Sequence, residues 1–400
     1  MHSTRMSPEE LRASLALSSI FGLRMLGMFV ILPVFAFYAE SLPGGDSLLL
    51  VGIAIGTYGL TQAILQIPFG YWSDRHGRKP VIYIGLAIFA AGSFVAAIGT
   101  HIYVIILGRL LQGAGAIAAP VMAMTADLTR EEHRGKAMAM IGSTIGGTFA
   151  LSLVLSPWLN RVIGVPGIFV MTGVLVLAAM VVVHRAIPDA PQSPQSSHMP
   201  AMQQFLAALR DPQLARLNYG VFALHTVLMA LFIAVPLELR AAGLAADHHW
   251  QVYLPVMLGS FVLMLPAIFG SGRSSRLKPV FVGSVAALLA LQLLMPWAVS
   301  GVGPIAFFLL AFFTAFNVLE ALLPAVVSRV TAPGTRGIAL GVFTSLQFFG
   351  TFVGAAAGGY LYGQFGTTGI VVFDTALLAV WVVAAFETRV PSPTRAGEQA

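Results

Sequence analysis

The chain has 400 residues, of which 57% are hydrophobic and only 10% charged, against the roughly 25% charged that a soluble globular domain carries. Its formal net charge of +6 is spread through short segments and is not gathered into a patch beside aromatics, which argues against a nucleic-acid surface. Zero cysteines exclude disulfides, cysteine-ligated zinc and thiol catalysis.

The amino terminus carries Arg5 and Arg12 ahead of an apolar run at 13–38. That run is too long for a signal peptide and lacks a small-residue cleavage site, so it reads as the first permanent span. Further apolar runs, near the 20 residues that cross roughly 30 Å of hydrocarbon, fall at 48–72, 80–99, 102–124, 136–160 and 164–184. The segment 186–212, with a Pro-Gln-Ser-Pro-Gln-Ser-Ser core, cannot pack and reads as a linker. A second set of runs follows at 213–239, 250–270, 279–298, 302–327, 337–362 and 367–386. The expected fold is an all-α membrane protein of twelve transmembrane helices in two six-helix bundles, 1–185 and 213–400, joined by a cytoplasmic linker and ending in a short cytoplasmic tail.

Charge sets the orientation. Of the 22 lysines and arginines, Arg24 and Arg109 fall within spans and Arg161 and Arg240 in alternate connections, which leaves 18 on the side of the termini. The positive-inside rule makes that side cytoplasmic.

The connection after span 2 runs from Gly70 through Asp74, Arg75, Gly77, Arg78 and Lys79 to Pro80, and the one after span 8, from Gly270 to Pro279, is a degenerate copy without the acid. Arg134-Gly135 opens span 5 and Arg336-Gly337 opens span 11, six spans later. Both pairs point to a duplicated six-helix unit.

The stretch Gly70 to Lys79 resembles the loop 2–3 signature of the major facilitator superfamily, and Arg109-Leu-Leu-Gln112-Gly113-Ala-Gly115 its span 4 signature; within the superfamily the likeness is to the drug:proton antiporter branch. Ser19 to Phe29 and Phe316 to Pro324 are similar to members of that branch with an additional soluble carboxy-terminal domain. Here about a dozen residues follow the last span, so no role of such a domain carries over. The resemblance implies secondary transport of a small solute by alternating access, with proton-coupled export expected and a proton-coupled or facilitative uptake carrier or a transporter-like sensor as alternatives. It further implies a monomer in the bacterial inner membrane, powered by the proton gradient without a cofactor. No nucleotide loop or metal-ligand spacing points to an enzyme.

Charged side chains within membrane helices are costly and are functional candidates by default. Arg24 lies in span 1, Arg109 in span 4, His225 in span 7 and Glu320 in span 10, and the resemblance makes these the cavity-lining spans. Glu320 is the candidate for proton coupling, with Asn317 and Pro324 on its helical face; a fixed ion pair with an arginine of the other half is the alternative. His225 is either a proton relay or a hydrogen-bonded helix contact. The two arginines against one acid favour an anionic or neutral amphipathic solute. Arg109 serves proton transfer or cavity electrostatics, or packs onto carbonyls. Gln62 and Gln66, four apart, meet solute or neighbouring helices.

The resemblance also implies a latch, in which Asp74 sits near the start of span 11 and Arg78 bridges to Asp127; the alternative is solvated loop charge. Gly142 and Gly146 on span 5 and Gly350, Gly354 and Gly358 on span 11 form small stripes that let helices approach and slide. Asp374 and Glu238 fall near span ends, where water is expected to reach them.

Overall fold

The structure, a computed structural model, describes residues 6–188, 210–271, 274–331 and 336–389. The linker expected at 186–212 lies almost wholly outside these residues, as do most of the carboxy-terminal tail, Arg5 and Arg273.

The described residues form helices only. The helix α1 (Pro8–Phe29) starts at a capping box in which Ser7 Oγ accepts from Glu10 N at 3.1 Å and Ser7 N donates to Glu10 Oε2 at 2.7 Å. After a break at Val30 and Ile31 it continues as α2 (Leu32–Ala39). Then come α3 (Leu48–His76), α4 (Arg78–Ala97), α5 (Ile102–Ala114), α6 (Ala118–Asp127) and α7 (Glu131–Ala186). The second group is α8 (Pro212–Ala241), a short 3-10 turn (Ala246–His248), α9 (Trp250–Ser271), α10 (Ser274–Ala298), α11 (Val302–Val330) and α12 (Arg336–Glu387).

Among the described residues, ten helical stretches are long and apolar enough to cross a bilayer, counting α1 with α2 and α5 with α6 as one each. Two of the ten are too long to cross once. At 1.5 Å per residue, α7 with 56 residues and α12 with 52 would reach about 80 Å, against roughly 30 Å of hydrocarbon. Each breaks at a glycine held at positive φ, Gly164 (φ 67°) and Gly366 (φ 59°), a conformation that other residues adopt only at a steric cost.

Helices α1 to α7 pack mainly among themselves, as do α8 to α12, and α3 against α12 is the principal seam between the two groups. That seam is tight because glycine permits it. A Cβ on Gly52 would stand 2.1 Å from the carbonyl oxygen of Ala355, and one on Gly59 would stand 2.1 Å from Thr351 Oγ1. The seam lies toward the end of the molecule that carries Glu40, the Glu40 end. Toward the opposite, Asp74 end the groups part: a Cβ on Gly142, Gly146, Gly337 or Gly341 would meet nothing within 4 Å. Away from that seam the groups also touch where Phe149 of α7 meets Phe232 of α8 and Phe313 of α11, with centroids 5.9 and 6.0 Å apart.

Candidate functional site

Two polar clusters sit inside the helical body, one in each group. In the first, Tyr58, Gln62 and Gln66 occupy one face of α3 at four-residue spacing. Arg24 of α1 donates to Gln62 Oε1, and Gln62 Nε2 donates to Gln66 Oε1 at 3.0 Å. The guanidinium carbons of Arg24 and Arg109 lie 5.3 and 5.0 Å from the centre of the Tyr58 ring, so one π-system serves two cations. Arg109 also donates to Gln112 Oε1 at 2.8 Å, and Gln112 Nε2 donates to Ser93 Oγ at 2.8 Å. Contacts from Arg109 to the carbonyls of Gly27 and Ile55, at 3.5 and 3.4 Å, are long.

Both arginines are fully buried, and among the described residues no carboxylate pairs with either. Arg24 Nε and Nη1, Arg109 Nε and Gln66 Nε2 are buried donors without a partner, and the Tyr58 hydroxyl is likewise unpaired. The cluster is therefore rich in donors and poor in acceptors.

The second cluster is titratable. His225 Nε2 and Glu320 Oε2 are 3.6 Å apart, and Gln347 of α12 stands between them, its Nε2 2.9 Å from His225 Nε2 and 3.3 Å from Glu320 Oε1. His225 Nδ1 lies 3.1 Å from the Val221 carbonyl one turn back. A carbonyl only accepts, so Nδ1 carries a hydrogen and donates to it, while Nε2 faces the Gln347 amide. The His225 side chain is 7% exposed and that of Glu320 39%, so the acid is the open member of the pair and the imidazole is buried.

The structure thus brings Arg24, Gln62, Gln66 and Arg109 together in one cluster and His225 and Glu320 in another. The arginine partner weighed for Glu320 is not formed here, because its neighbours are His225 and Gln347. Asn317 does not join them: its Nδ2 donates to Ser260 Oγ of α9 at 3.1 Å, on another side of α11.

At the Asp74 end, Arg78 donates to Asp74 and to Ser73 Oγ (2.9 Å), and its Nε to Asp127 Oδ2 (3.1 Å). Gly77, at φ 91°, turns α3 into α4 and aims Arg78 back at both acids, while Arg75 stacks on Tyr71 at 4.4 Å and a Cβ on Gly70 would meet Ala119 at 3.3 Å. Among the described residues Asp74 pairs within its own group, with Arg78; the turn before α12 and the Arg336 side chain lie outside them. The small stripes divide as well. A Cβ on Gly350, Gly354 or Gly358 would stand 2.1 to 2.8 Å from the backbone of α8, whereas Gly142 and Gly146 border open space instead of packing. Asp374, expected within reach of water, is fully buried on Gln292. Glu238 accepts from Tyr362 at 2.9 Å and Thr367 at 2.5 Å.

Sequence reasoning passed over Tyr58, Gln112 and Gln347. The 58, 62, 66 spacing was a signal for Tyr58, and the three-residue step from Arg109 was one for Gln112. Nothing local marks Gln347, which joins its cluster only through the packing of α12.

The comparisons with known proteins agree with this architecture. The sequence profile described as Major Facilitator Superfamily matches residues 17–316. The chain is 42% identical to the inner membrane transport protein YajR of Escherichia coli K12 over 98% of its own length and 86% of that protein's. It is 32% identical to multidrug resistance protein 2 of Bacillus subtilis 168 over 34% of each chain. A bacterial homolog of the human lysosomal transporter Spinster, solved in an inward-facing and occupied conformation, superposes with a TM-score of 0.78 at 12% identity, covering 96% of this chain and 97% of that one. A transport-protein fold, a profile match over most of the chain and similarity along 98% of the chain to an inner-membrane transporter agree: the chain belongs to the major facilitator superfamily of membrane transporters, which are not enzymes.

Proposed function

We propose that the protein is a proton-coupled exporter of a small amphipathic solute, anionic or neutral, working by alternating access as a monomer in the bacterial inner membrane. Counting each leg of α7 and α12 separately gives twelve spans, six in 1–185 and six in 213–400, with both termini and the 186–212 linker cytoplasmic. The Glu40 end then faces outward and the Asp74 end inward, and the arrangement described is the inward-facing one. No cofactor takes part, and the proton gradient supplies the energy.

The observation that carries this reading is Glu320, an open carboxyl on a membrane-crossing helix, while the imidazole 3.6 Å away is buried. An acid in that setting exchanges protons with one aqueous side, and its charge biases which side the cavity opens to. The donor-rich arginine cluster supports an acceptor-bearing solute. The partial match to a multidrug resistance protein supports export.

The test is reconstitution. Protein in liposomes with an internal pH dye should release protons in response to solutes found by a thermal-shift panel, and Glu320→Gln should lose that proton movement while still binding the solute. Wild-type proton movement in Glu320→Gln would sink the reading.

A further inference from the structure

Asp374 belongs to neither cluster. It lies on the second leg of α12, fully buried, and accepts a hydrogen bond at Oδ2 from Gln292 Nε2 of α10. Two buried oxygens of this pair have no partner: Asp374 Oδ1 and Gln292 Oε1. Both are acceptors, and they sit on two groups already in contact.

Among the described residues Asp374 makes no ion pair. Trp381, two turns on, packs on Phe281 of α10 with centroids 6.4 Å apart and against Gly220 of α8. The titratable groups that α8 brings to this leg have other partners: Tyr219 donates to the Leu377 carbonyl at 3.0 Å, Arg216 pairs with Glu387 at 2.8 Å and Glu238 accepts from Thr367. An isolated carboxylate in such a place is among the costliest groups to bury, and a carboxylic acid is far less so.

One added hydrogen resolves both unpaired oxygens. We infer that Asp374 carries a proton on Oδ1 and donates it to Gln292 Oε1, closing a two-bond acid–amide pair that fastens α12 to α10 through a neutral carboxylic acid. The site binds a proton outside both polar clusters, on a carboxyl that is fully buried in this arrangement. This inference stands apart from the role given to Glu320.

Infrared spectroscopy of the full chain reconstituted in lipid tests it. A protonated-carboxyl carbonyl stretch should persist unchanged between about pH 5 and 9. It should vanish in Asp374→Asn and remain in Glu320→Gln. Asp374→Asn should melt like wild type, because its amide can make both bonds with Gln292, whereas Asp374→Leu should melt lower. Gln292→Leu, which keeps the acid and removes its acceptor, should move the stretch to higher frequency, and this variant carries the test if Asp374→Asn fails to fold. A stretch that survives in Asp374→Asn, fails to move in Gln292→Leu, or fades as pH rises overturns the inference.

Discussion

Glu40 and Arg240, 200 residues apart in the chain, meet in a bidentate pair with contacts of 2.6 and 2.9 Å that ties the end of α2 to the end of α8 across the two groups. Arg240 also lies over the Phe37 ring at 4.7 Å. The pair borders a vestibule of about 430 Å³ lined in part by Asp46, Leu48 and Tyr362. Both side chains are 46% exposed, so the pair is worth at most about 1 kcal/mol. That is enough to bias two states of similar energy. Glu40→Gln should shift the equilibrium toward the arrangement open at this end by about two- to fivefold. The native chain has no cysteine, so the labelling rate of a single cysteine placed beside the vestibule reads that shift directly.

The same pair fixes a pH response. The hydrogen bonds from Arg240 hold the Glu40 carboxyl below its ordinary range, with burial opposing more weakly. A lowered carboxyl contributes stability that is fully present above its unfolded value, near pH 4.3, and that is lost as pH falls through the lowered one. The labelling rate beside the vestibule should therefore stay flat from about pH 8 to pH 5 and rise only in stronger acid. A rise near pH 6 would assign control of this end to a histidine.

Asp74 and Asp127 hold Arg78 between them at the other end. Asp74→Asn removes one charge from this clamp and the candidate contact for the start of α12, while leaving every span apolar. Insertion and melting should change little, and transport at equal expression should fall severalfold. Unchanged transport would leave the pair as ordinary loop charge.

How much of this was visible in the chain itself depends on what kind of signal each feature leaves. Span positions were legible because a bilayer demands about 20 apolar residues wherever a helix crosses it. The 164–184 and 367–386 spans open within two residues of the glycines where α7 and α12 break. The membrane arginines and acids stood out for the same reason, as charges in apolar runs. Their partners did not. Gln347 and Asp374 take their meaning from helices that meet only in three dimensions, and Asn317, placed three residues from Glu320, turns to Ser260 instead. The Arg78 to Asp127 bridge was legible through family resemblance. Which mouth is closed was not, because one sequence encodes both states.

The glycine stripes make opposite predictions on the two long helices. A Cβ on Gly354 would stand 2.1 Å from the Thr226 carbonyl oxygen, so Gly354→Val must push α12 off α8. Overpacking of this kind costs about 1–3 kcal/mol, and the melting temperature should drop by several degrees. A Cβ on Gly146 meets nothing within 4 Å. Gly146→Trp should fold with wild-type stability and instead block closure of the Asp74 end, seen as persistent labelling of a cysteine near Gly142 under conditions that protect it in wild type.

Gln347 is the sharpest test of the titratable cluster. Its amide faces the imidazole and donates to a carboxyl oxygen in the arrangement seen here. A proton arriving on His225 Nε2 would set N–H against N–H, so either the amide must turn and accept with its oxygen, or the imidazolium must swing to Glu320, 3.6 Å away. Either movement rearranges the contacts that Gln347 of α12 makes with α8 and α11, and so couples proton occupancy to the helix that forms the seam. Gln347→Leu removes both donors at nearly constant volume. Losing a hydrogen bond to a charged group costs about 1.5–3 kcal/mol, so the pH dependence of solute-driven proton release should move by about one to two pH units while melting changes only slightly. Gln347→Glu, which can accept from an imidazolium but offers no amide donor, should move it in the sense that favours a charged His225. Identical pH profiles in wild type and both variants would reduce Gln347 to a packing residue and leave the imidazole and carboxyl to exchange protons on their own.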